Sequence, residues 1–360
     1  MVQDAARSFV ADRMPVSQLR GLRSECPRRG FDPAIWQEMA ALGWPGIAIA
    51  EEHGGAGLGI RALGAVIEVM GTSLAASPLA STALVAATVI ARCGSEDARA
   101  RWLPVLAEGR VIAALATREG AQASEARPET ALTRAKGAVM LNGAKCYVAD
   151  ATGAGLLLVS ARDGAQDVLA LIRADAPGVT ITQRASIDGH LLSDIRFAGT
   201  PVADVLTARP ARDPVAFAED CACVALAAEM LGACSRAFDV TLDYMRTRQQ
   251  FGQTIGSFQA LQHRAAGLFI ELELARSCVL AVVDALHHDD AALPVLASLA
   301  KATMGELMRQ MSYEMIQLHG GIGMTDAHDA GLYLKRGRAA ALLHGDAAWH
   351  RDRYARLQGY

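Results

Sequence analysis

A stripe of large apolar residues in the C-terminal third limits what this chain can fold into. The stripe recurs every three or four residues and consists of Met304, Leu307, Met308, Met311, Met315 and Leu318. Because this spacing places the side chains on one face of an α-helix, it predicts a long helix that other helices must cover. A second stripe has the same spacing and consists of Leu261, Ala265, Leu268, Leu272 and Ala275. Together the stripes predict a helical bundle.

The sequence pattern changes twice along the chain. Residues 1–110 show helical spacing with short Gly and Pro loops, and Asp32-Pro33 is typical of a helix start. Residues 111–208 instead contain short apolar segments separated by Gly, Asn, Asp and Pro, which predict a small β domain, and Asn142-Gly143 predicts a turn within it. We therefore expect an N-terminal helical domain over 1–110, a central β domain over 111–208 and a C-terminal helical bundle over 209–360.

Composition excludes several classes of function. A net charge of −3 gives no basic face for nucleic acid. No apolar run reaches the roughly 18 residues that a membrane span needs, and the best candidate, Val224–Cys234, is interrupted by Glu229. The 7 cysteines include no pair of CxxC clusters, so a reduced, cytoplasmic protein is expected. No metal site is predicted, since the consecutive residues of His287-His288-Asp289-Asp290 would point in different directions.

One segment of the C-terminal region suggests a cofactor. Arg248 precedes Phe251 and a Gly-containing turn that leads to Gln259. An arginine can hold a phosphate through two hydrogen bonds, and an aromatic ring beside it can cover a planar ligand. The alternative interpretation is an ordinary connection between two helices.

A second segment follows the methionine-bearing helix and contains Gln317, Gly320 and Gly321. Glycines at this position permit left-handed backbone and close approach to a ligand. The alternative is an ordinary glycine end of a helix. Both segments in this order, after a helix–sheet–helix pattern, favour the cofactor interpretation.

With these segments the chain resembles the acyl-CoA dehydrogenase family of flavoproteins over essentially its whole length. Ile49–Gly55 is similar to the family's PEEYGG segment, and Lys145-Cys146-Tyr147-Val148 is similar to its KxWI strand. The resemblance implies an α+β fold with an N-terminal helical domain, a central β domain and a C-terminal four-helix bundle. It also implies FAD as the cofactor and desaturation of an acyl-CoA thioester at Cα–Cβ, with hydride transfer to flavin N5.

The resemblance assigns cofactor roles to individual residues. Arg248 matches the arginine that binds the FAD diphosphate, and Phe251 matches the aromatic residue after it. Gln259 matches a glutamine beside the flavin of a neighbouring subunit. Thr117 matches the threonine of a loop that contacts the flavin.

Three further residues, Gln317, Gly320 and Gly321, match the family's motif for the adenosine diphosphate part of FAD. Family members assemble as dimers or tetramers, because the cofactor reaches the neighbouring subunit. The resemblance therefore implies a homo-oligomer, or a hetero-oligomer with a paralogous subunit. It also implies an electron-transfer flavoprotein as the electron acceptor.

The catalytic base is the main departure from the family pattern. His344 occupies the usual glutamate position, and Ala222 occupies the alternative one. Other candidates are Glu229, inside an apolar helix, and Asp220 with Glu219 near the start of that helix. Each has a structural alternative. For His344 it is packing or a hydrogen bond to Asp346, for Glu229 an ion pair with a nearby arginine or a subunit contact, and for the two remaining acids solvation at the helix start. A further alternative is that the chain contains no base.

Smaller departures surround the flavin-contacting segments. Tyr147 stands for the family's Trp, Ala149 for its Thr and Asp150 for its Asn, and Gln122-Ala123 replaces a Gly-Ser pair. Leu332–Arg353 is similar to bacterial heteromeric acyl-CoA dehydrogenases, which act on bulky acyl-CoAs such as steroid side chains. Two functions remain open: an enzyme subunit that holds FAD with a displaced base, and a non-catalytic subunit that completes the sites of a paralogous chain.

Overall fold

The chain forms two compact units. The computed structural model describes residues 2–25, 30–120, 127–135, 137–207 and 213–360. The helical unit comprises Met1–Leu19, Gly64–Ala75 and Leu226–Tyr360. The sheet unit comprises Arg20–Leu63 and Ala76–Ala225. The predicted domain boundary at 110 remains a prediction, and the one at 208 lies outside the described residues.

Helices occupy both ends of the chain. Those before the sheet are α1 (Val2–Arg13), α2 (Val16–Glu25), α3 (Pro33–Ala41), α4 (Gly59–Thr72), α5 (Ala87–Cys93) and α6 (Glu96–Ala107). Those after it are α7 (Pro214–Thr247), α8 (Gln259–His288), α9 (Leu293–His319), α10 (Ala330–Leu342) and α11 (Ala347–Leu357). A π-helix at Ala80–Ala86 leads into α5. The predicted start of α3 is confirmed, because the Asp32 carboxylate accepts a hydrogen bond from the backbone N–H of Ala34.

The central part of the chain forms one mixed sheet. Its strands are β1 (Ala113–Ala116), β2 (Ala131–Ala135), β3 (Ala138–Ala149), β4 (Leu156–Asp163), β5 (Gln166–Arg173), β6 (Val179–Ala185), β7 (Leu191–Pro201) and β8 (Asp204–Leu206). The spatial order is β6-β7-β3-β2-β4-β5-β8, and β1 pairs with β4. The pairings of β4 with β1 and with β2 are parallel, and the other pairings in this sheet are antiparallel. The helix–sheet–helix order confirms the predicted fold class.

The turn predicted at Asn142-Gly143 is wrong, because both residues lie inside β3. The register between β3 and β7 shifts here, which marks a β-bulge. Gly143 has φ +143°, and a Cβ on it would collide with the backbone of Thr130. The Asn142 side chain accepts a hydrogen bond from the N–H of Gly199 at 2.8 Å. The two residues therefore allow close approach between strands rather than a chain reversal.

Helix α9 is the centre of the helical unit. It packs against α8, α10 and α11, and the methionine-bearing stripe from Met304 to Leu318 is buried, which confirms the predicted helix. No helix in the described ranges combines the length and the apolar character that a bilayer crossing needs. The described cysteines form no disulfide.

Helices α4 and α7 cross at two glycines. A Cβ on Gly71 would collide with the carbonyl oxygen of Glu229, and a Cβ on Gly232 would collide with that of Glu68. The two backbones therefore touch, and this contact fixes the part of α7 that carries Glu229. Any side chain at either glycine must push the helices apart.

We expect Gly232→Ala to lower the free energy of unfolding by roughly 1–3 kcal/mol, because the added methyl group overlaps with backbone that cannot move alone. Gly21→Ala is the matched control, since Gly21 lies in α2 with no atom within 4 Å of the added Cβ. The control variant should be as stable as the unchanged protein or more so. Chemical denaturation measures both, and equal midpoints for the two variants would contradict the close crossing.

Candidate functional site

A strained hairpin presents an aromatic ring at the end of α7. Strands β9 (Gln249–Gln250) and β10 (Gln253–Thr254) pair antiparallel around a two-residue turn, Phe251-Gly252. Both turn residues have positive φ, +53° for Phe251 and +77° for Gly252. Left-handed backbone is unfavourable for a bulky residue. Phe251 is nevertheless 90% exposed, and its one ring contact among the described residues is an edge contact with Phe258 at 6.1 Å between centroids.

Arg248 stands at the base of this hairpin. Its N–H donates to the carbonyl of Tyr244 and its carbonyl accepts from the N–H of Ile255, both at 2.8 Å. The backbone is therefore fixed, while the exposed guanidinium forms no ion pair within the described ranges. Gln259 is also exposed and begins α8. The structure thus places Arg248, Phe251 and Gln259 on one short connection.

The glycine-rich segment after α9 is open. Gly320 has φ +64° and ψ −140°, a conformation for which glycine is required. Gly321 has no such requirement, and a Cβ on it would meet no atom within 4 Å. Gln317, Gly320 and Gly321 are all exposed. The packing of this chain therefore does not explain why residue 321 is a glycine.

Three stacked rings lie next to the glycine-rich segment, with His319 in the middle. His319 lies 4.3 Å between centroids from both Tyr244 and His328. Its Nδ1–H donates to the carbonyl of Met315 at 2.7 Å, which leaves Nε2 as a buried atom with no hydrogen-bond partner among the described residues. Burial lowers the pKa of His319, so the neutral ring is favoured.

In the sheet unit, Thr117 directly follows β1, and its carbonyl accepts two hydrogen bonds. The Lys145 ammonium donates to it at 3.3 Å and the Ser160 hydroxyl at 3.2 Å. Lys145 also donates to the Glu119 carboxylate at 2.6 Å and to Ser160 Oγ at 2.8 Å. Thr117 therefore sits on a buried polar network. The sequence motifs include Thr117 and Lys145 of this network, but they give no signal for Ser160 as its member.

The Glu119 carboxylate is the acidic centre of this network. It also accepts from the backbone N–H groups of Glu129 (2.7 Å) and Thr130 (2.9 Å). Burial alone would raise the pKa of Glu119, but the hydrogen bonds from Lys145, Thr130 and Glu129 together hold it below its usual value. Burial lowers the pKa of Lys145. The stabilisation that ionised Glu119 contributes is complete above the pKa that this carboxyl has in the unfolded chain. It is lost as the pH falls through the lower pKa of the same carboxyl in the folded protein.

The strand that resembles the family's flavin-contacting strand is irregular at its end. A bulge lies between Lys145 and Val148, and Tyr147 has φ +55°. The guanidinium groups of Arg118 and Arg184 lie over the Tyr147 ring, 5.0 Å and 5.3 Å from its centroid. Such contacts are favourable cation–π interactions. The substituted loop residues Gln122-Ala123 lie outside the described residues.

The segment around His344 is tightly held in the helical unit. His344 is half-buried with φ +55°, and its carbonyl accepts from His350 Nε2–H at 2.9 Å. The Lys301 ammonium donates to the carbonyls of Ala341 (3.0 Å) and Gly345 (2.8 Å), one on each side of His344. The residue at the family's usual base position therefore has a fixed backbone.

The acidic candidates differ in their surroundings. Glu229 forms a two-pronged ion pair with Arg336, with N–O distances of 2.6 Å and 2.9 Å. This is the internal salt bridge that the sequence left open as the alternative to a base. Asp220 is only 2% exposed and belongs to the sheet unit, whereas Glu219 is half-buried. Among the described residues, no three His, Cys, Asp or Glu side chains are grouped to hold a metal.

Known proteins share both ends of this architecture. Residues 1–110 match the family model "Acyl-CoA dehydrogenase, N-terminal domain", and residues 222–358 match "Acyl-CoA dehydrogenase, C-terminal domain". This chain belongs to the acyl-CoA dehydrogenase family. Members of this family are oxidoreductases that act on CH–CH bonds and bind FAD, which agrees with the cofactor that the sequence predicted.

Individual acyl-CoA dehydrogenases align over nearly the whole chain. Acyl-CoA dehydrogenase IpdE2 of Mycobacterium tuberculosis (strain ATCC 25618 / H37Rv) is 30% identical over 354 residues, covering 95% of this chain and 92% of that protein. A variant of the Tcur3481-Tcur3483 steroid ACAD superposes with a TM-score of 0.91 at 32% identity, covering 99% of this chain and 96% of that one. The ChsE4-ChsE5 complex from Mycobacterium tuberculosis shares the fold, with a TM-score of 0.91 at 23% identity over 100% and 96% of the two chains.

We expect Glu229→Gln to lower the free energy of unfolding by about 2–4 kcal/mol, because it leaves the guanidinium of Arg336 buried without its charged partner. Asp243→Asn is the control, since Asp243 and Arg246 form an exposed pair that adds little stability. Thermal or urea unfolding measures both variants. Full stability of the Glu229→Gln protein would show that the ion pair is not a structural one.

Proposed function

We propose that this chain is a subunit of an FAD-dependent acyl-CoA dehydrogenase that desaturates an acyl-CoA thioester at Cα–Cβ. The observation that carries the proposal is the exposed Phe251 at the tip of a hairpin that begins next to Arg248, whose guanidinium forms no ion pair with the described residues. The hairpin pairing accounts for the left-handed backbone at Phe251, but not for an aromatic ring that is exposed to solvent. A cofactor with a diphosphate and flat rings would engage both side chains.

Gly321 supports the same cofactor. Its backbone is exposed, and the space that a Cβ would fill is empty. Exposed glycine backbone allows close approach of a ligand such as the adenosine diphosphate portion of FAD. Arg248 would hold the diphosphate, Phe251 and Gln259 would border the flavin, and Gln317 with Gly320 and Gly321 would border the adenosine. Thr117, in the sheet unit, would contact the flavin.

When bound, FAD supplies a two-electron acceptor for the hydride that leaves Cβ. The protein must remove the Cα proton, which requires a base within hydrogen-bond reach in a pocket that excludes water. His344 is our first candidate, since its backbone is fixed and a neutral imidazole can accept a proton. Glu229 is already engaged by Arg336, and of the other two acidic candidates Asp220 is buried and Glu219 is half-buried.

The assembly that we propose is an oligomer, with a second copy or a paralogous subunit. Helix α8 exposes large apolar side chains, among them Phe269, Ile270, Leu274 and Leu280, each more than half exposed. Such a face is typical of a stable subunit interface.

We also propose an electron-transfer flavoprotein as the electron acceptor and a bulky acyl-CoA as the substrate, in line with the steroid ACAD that this chain resembles.

A second candidate function is a non-catalytic subunit that completes the FAD and CoA sites of a paralogous chain. The Glu229–Arg336 ion pair favours it, because it occupies a carboxylate that could otherwise serve as a base. In this case the proton is removed by a residue of the other subunit. Arg248 and Phe251 would have the same role in both functions.

We expect Arg248→Ala to reduce the FAD content of the purified assembly sharply, because the diphosphate loses a two-pronged charged partner. Arg246→Ala is the control, since Arg246 is exposed two residues away and pairs with Asp243. Gly321→Ala should also weaken FAD binding, whereas Gly331→Ala, another glycine with open space around it, should not. The flavin absorbance between about 350 and 500 nm, relative to protein, reports the result.

The design separates the possible outcomes. The chain is expressed alone and together with a paralogous subunit, and each preparation is analysed for flavin. Flavin only on co-expression favours the non-catalytic subunit, and flavin in the lone chain favours the enzyme subunit. Equal FAD content in Arg248→Ala and the unchanged assembly would overturn the role of Arg248.

We expect His344→Ala to lower kcat by at least about a hundredfold with intact flavin, if this chain supplies the base. Glu229→Gln and Asp220→Asn are assayed in parallel in the reconstituted assembly. The variant with the large loss identifies the base. Unchanged rates in all three would instead establish the non-catalytic function and place the base in the partner.

A further inference from the structure

The buried ammonium of Lys145 is fully satisfied. Its three N–H groups have three acceptors: a carboxylate oxygen of Glu119 at 2.6 Å, the hydroxyl of Ser160 at 2.8 Å and the carbonyl of Thr117 at 3.3 Å. Lys145 itself is 1% exposed. An ammonium group has three donors, so no hydrogen bond is left unmade.

The network of Lys145 is buried within the sheet. Lys145 lies on β3, where Leu141 and Val148 are also buried, and Ser160 on β4 is 1% exposed. Placing charge here costs desolvation free energy, and replacing a whole buried charged pair with well-packed apolar residues is often neutral or stabilising. Stability alone therefore does not explain a lysine at this position.

The network converges on one backbone atom. Lys145 and Ser160 both donate to the carbonyl of Thr117, so this carbonyl has a single orientation. Glu119 in turn accepts from the N–H groups of Glu129 and Thr130, which ties the chain after Thr117 to a second segment. Rotation of the peptide after Thr117 would break two hydrogen bonds at once. The network thus orients the residue that we propose to contact the flavin.

We propose that Lys145, with Glu119 and Ser160, is a positioning residue for FAD: it holds Thr117 in the orientation that binds the cofactor. This inference rests on the proposed function of Thr117 as a flavin contact. It assigns to Lys145 no contact with FAD itself. Its consequence is that loss of the ammonium weakens FAD binding more than the accompanying loss of stability explains.

The decisive variant is Lys145→Met, which replaces the buried ammonium with an apolar side chain of similar length. The FAD-free protein should lose some stability, because Glu119 loses the ammonium that pairs with it but keeps its two backbone donors and contact with water. The dissociation constant of FAD should rise by roughly tenfold or more, as when a group that orients a ligand-binding residue is removed. Ser160→Ala should give a smaller rise in the same direction.

The measurement is titration of the FAD-stripped assembly with FAD, followed by flavin fluorescence, next to urea unfolding of the same samples. Arg134→Ala is the control, because Arg134 forms an exposed ion pair with Asp163 elsewhere in the sheet and should leave FAD affinity unchanged. Unchanged FAD affinity in Lys145→Met overturns the inference. So does a loss of FAD affinity in Lys145→Met that is no larger, for the same loss of stability, than the loss in the core variant Val159→Ala.

Two further outcomes are distinguishable. If Lys145→Met does not fold, Ser160→Ala decides alone, and unchanged FAD affinity in that variant overturns the inference. If the unchanged assembly binds no FAD, the proposed function fails rather than the role of Lys145. Restoration of affinity by Lys145→Arg, which keeps the charge and donors, supports the positioning role.

Discussion

Helix α9 is buried along most of its length, and two turns of the helical unit depend on it. Its apolar stripe faces α8, α10 and α11, so the burial of large side chains fixes its position. At its C-terminal end the helix continues into Gly320 and Gly321. From its middle, Lys301 holds the carbonyls on both sides of His344. A displacement of α9 would therefore move the glycine turn and the His344 turn together.

Buried charges recur where the backbone must have one orientation. Lys145 fixes the carbonyl of Thr117, Lys301 fixes the turn at His344, and Arg336 holds Glu229 at the crossing of α4 and α7. Each costs desolvation free energy that an apolar side chain would not. An apolar side chain, however, cannot direct a carbonyl or a carboxylate. We infer that these positions retain charge for geometric specificity rather than for stability.

The sequence predicts the parts of this fold that local patterns determine. The stripe from Met304 to Leu318 predicts α9 because its spacing and burial are local properties. Asn142-Gly143 failed as a turn because the close approach of Thr130, a non-local contact, decides the conformation there. Strands β2 and β8 have weak local patterns for a related reason: they are short, and pairing with neighbouring strands defines them.

The candidate site was predictable by residue type but not by environment. Arg248, Phe251 and Gly321 follow from motif resemblance, yet the hairpin that presents Phe251 does not, because its strands have two residues each. The ion pair of Glu229 with Arg336 joins residues 107 positions apart, so the sequence could leave it only as an alternative. The same limit applies to Glu119, whose partner Lys145 lies 26 residues away.

Two non-glycine residues with left-handed backbone, His344 and Phe251, are held by different internal contacts. Such a conformation costs on the order of 1–3 kcal/mol and persists only where surrounding contacts enforce it. At His344 those contacts are internal. His350 donates to the carbonyl of His344 itself, and Lys301 donates to carbonyls before and after it in the same turn. At Phe251 the ring is 90% exposed, and the edge of Phe258 is its one ring contact in the described chain. The pairing of β9 with β10 enforces this left-handed turn, and the FAD that we propose would cover the ring that the turn exposes.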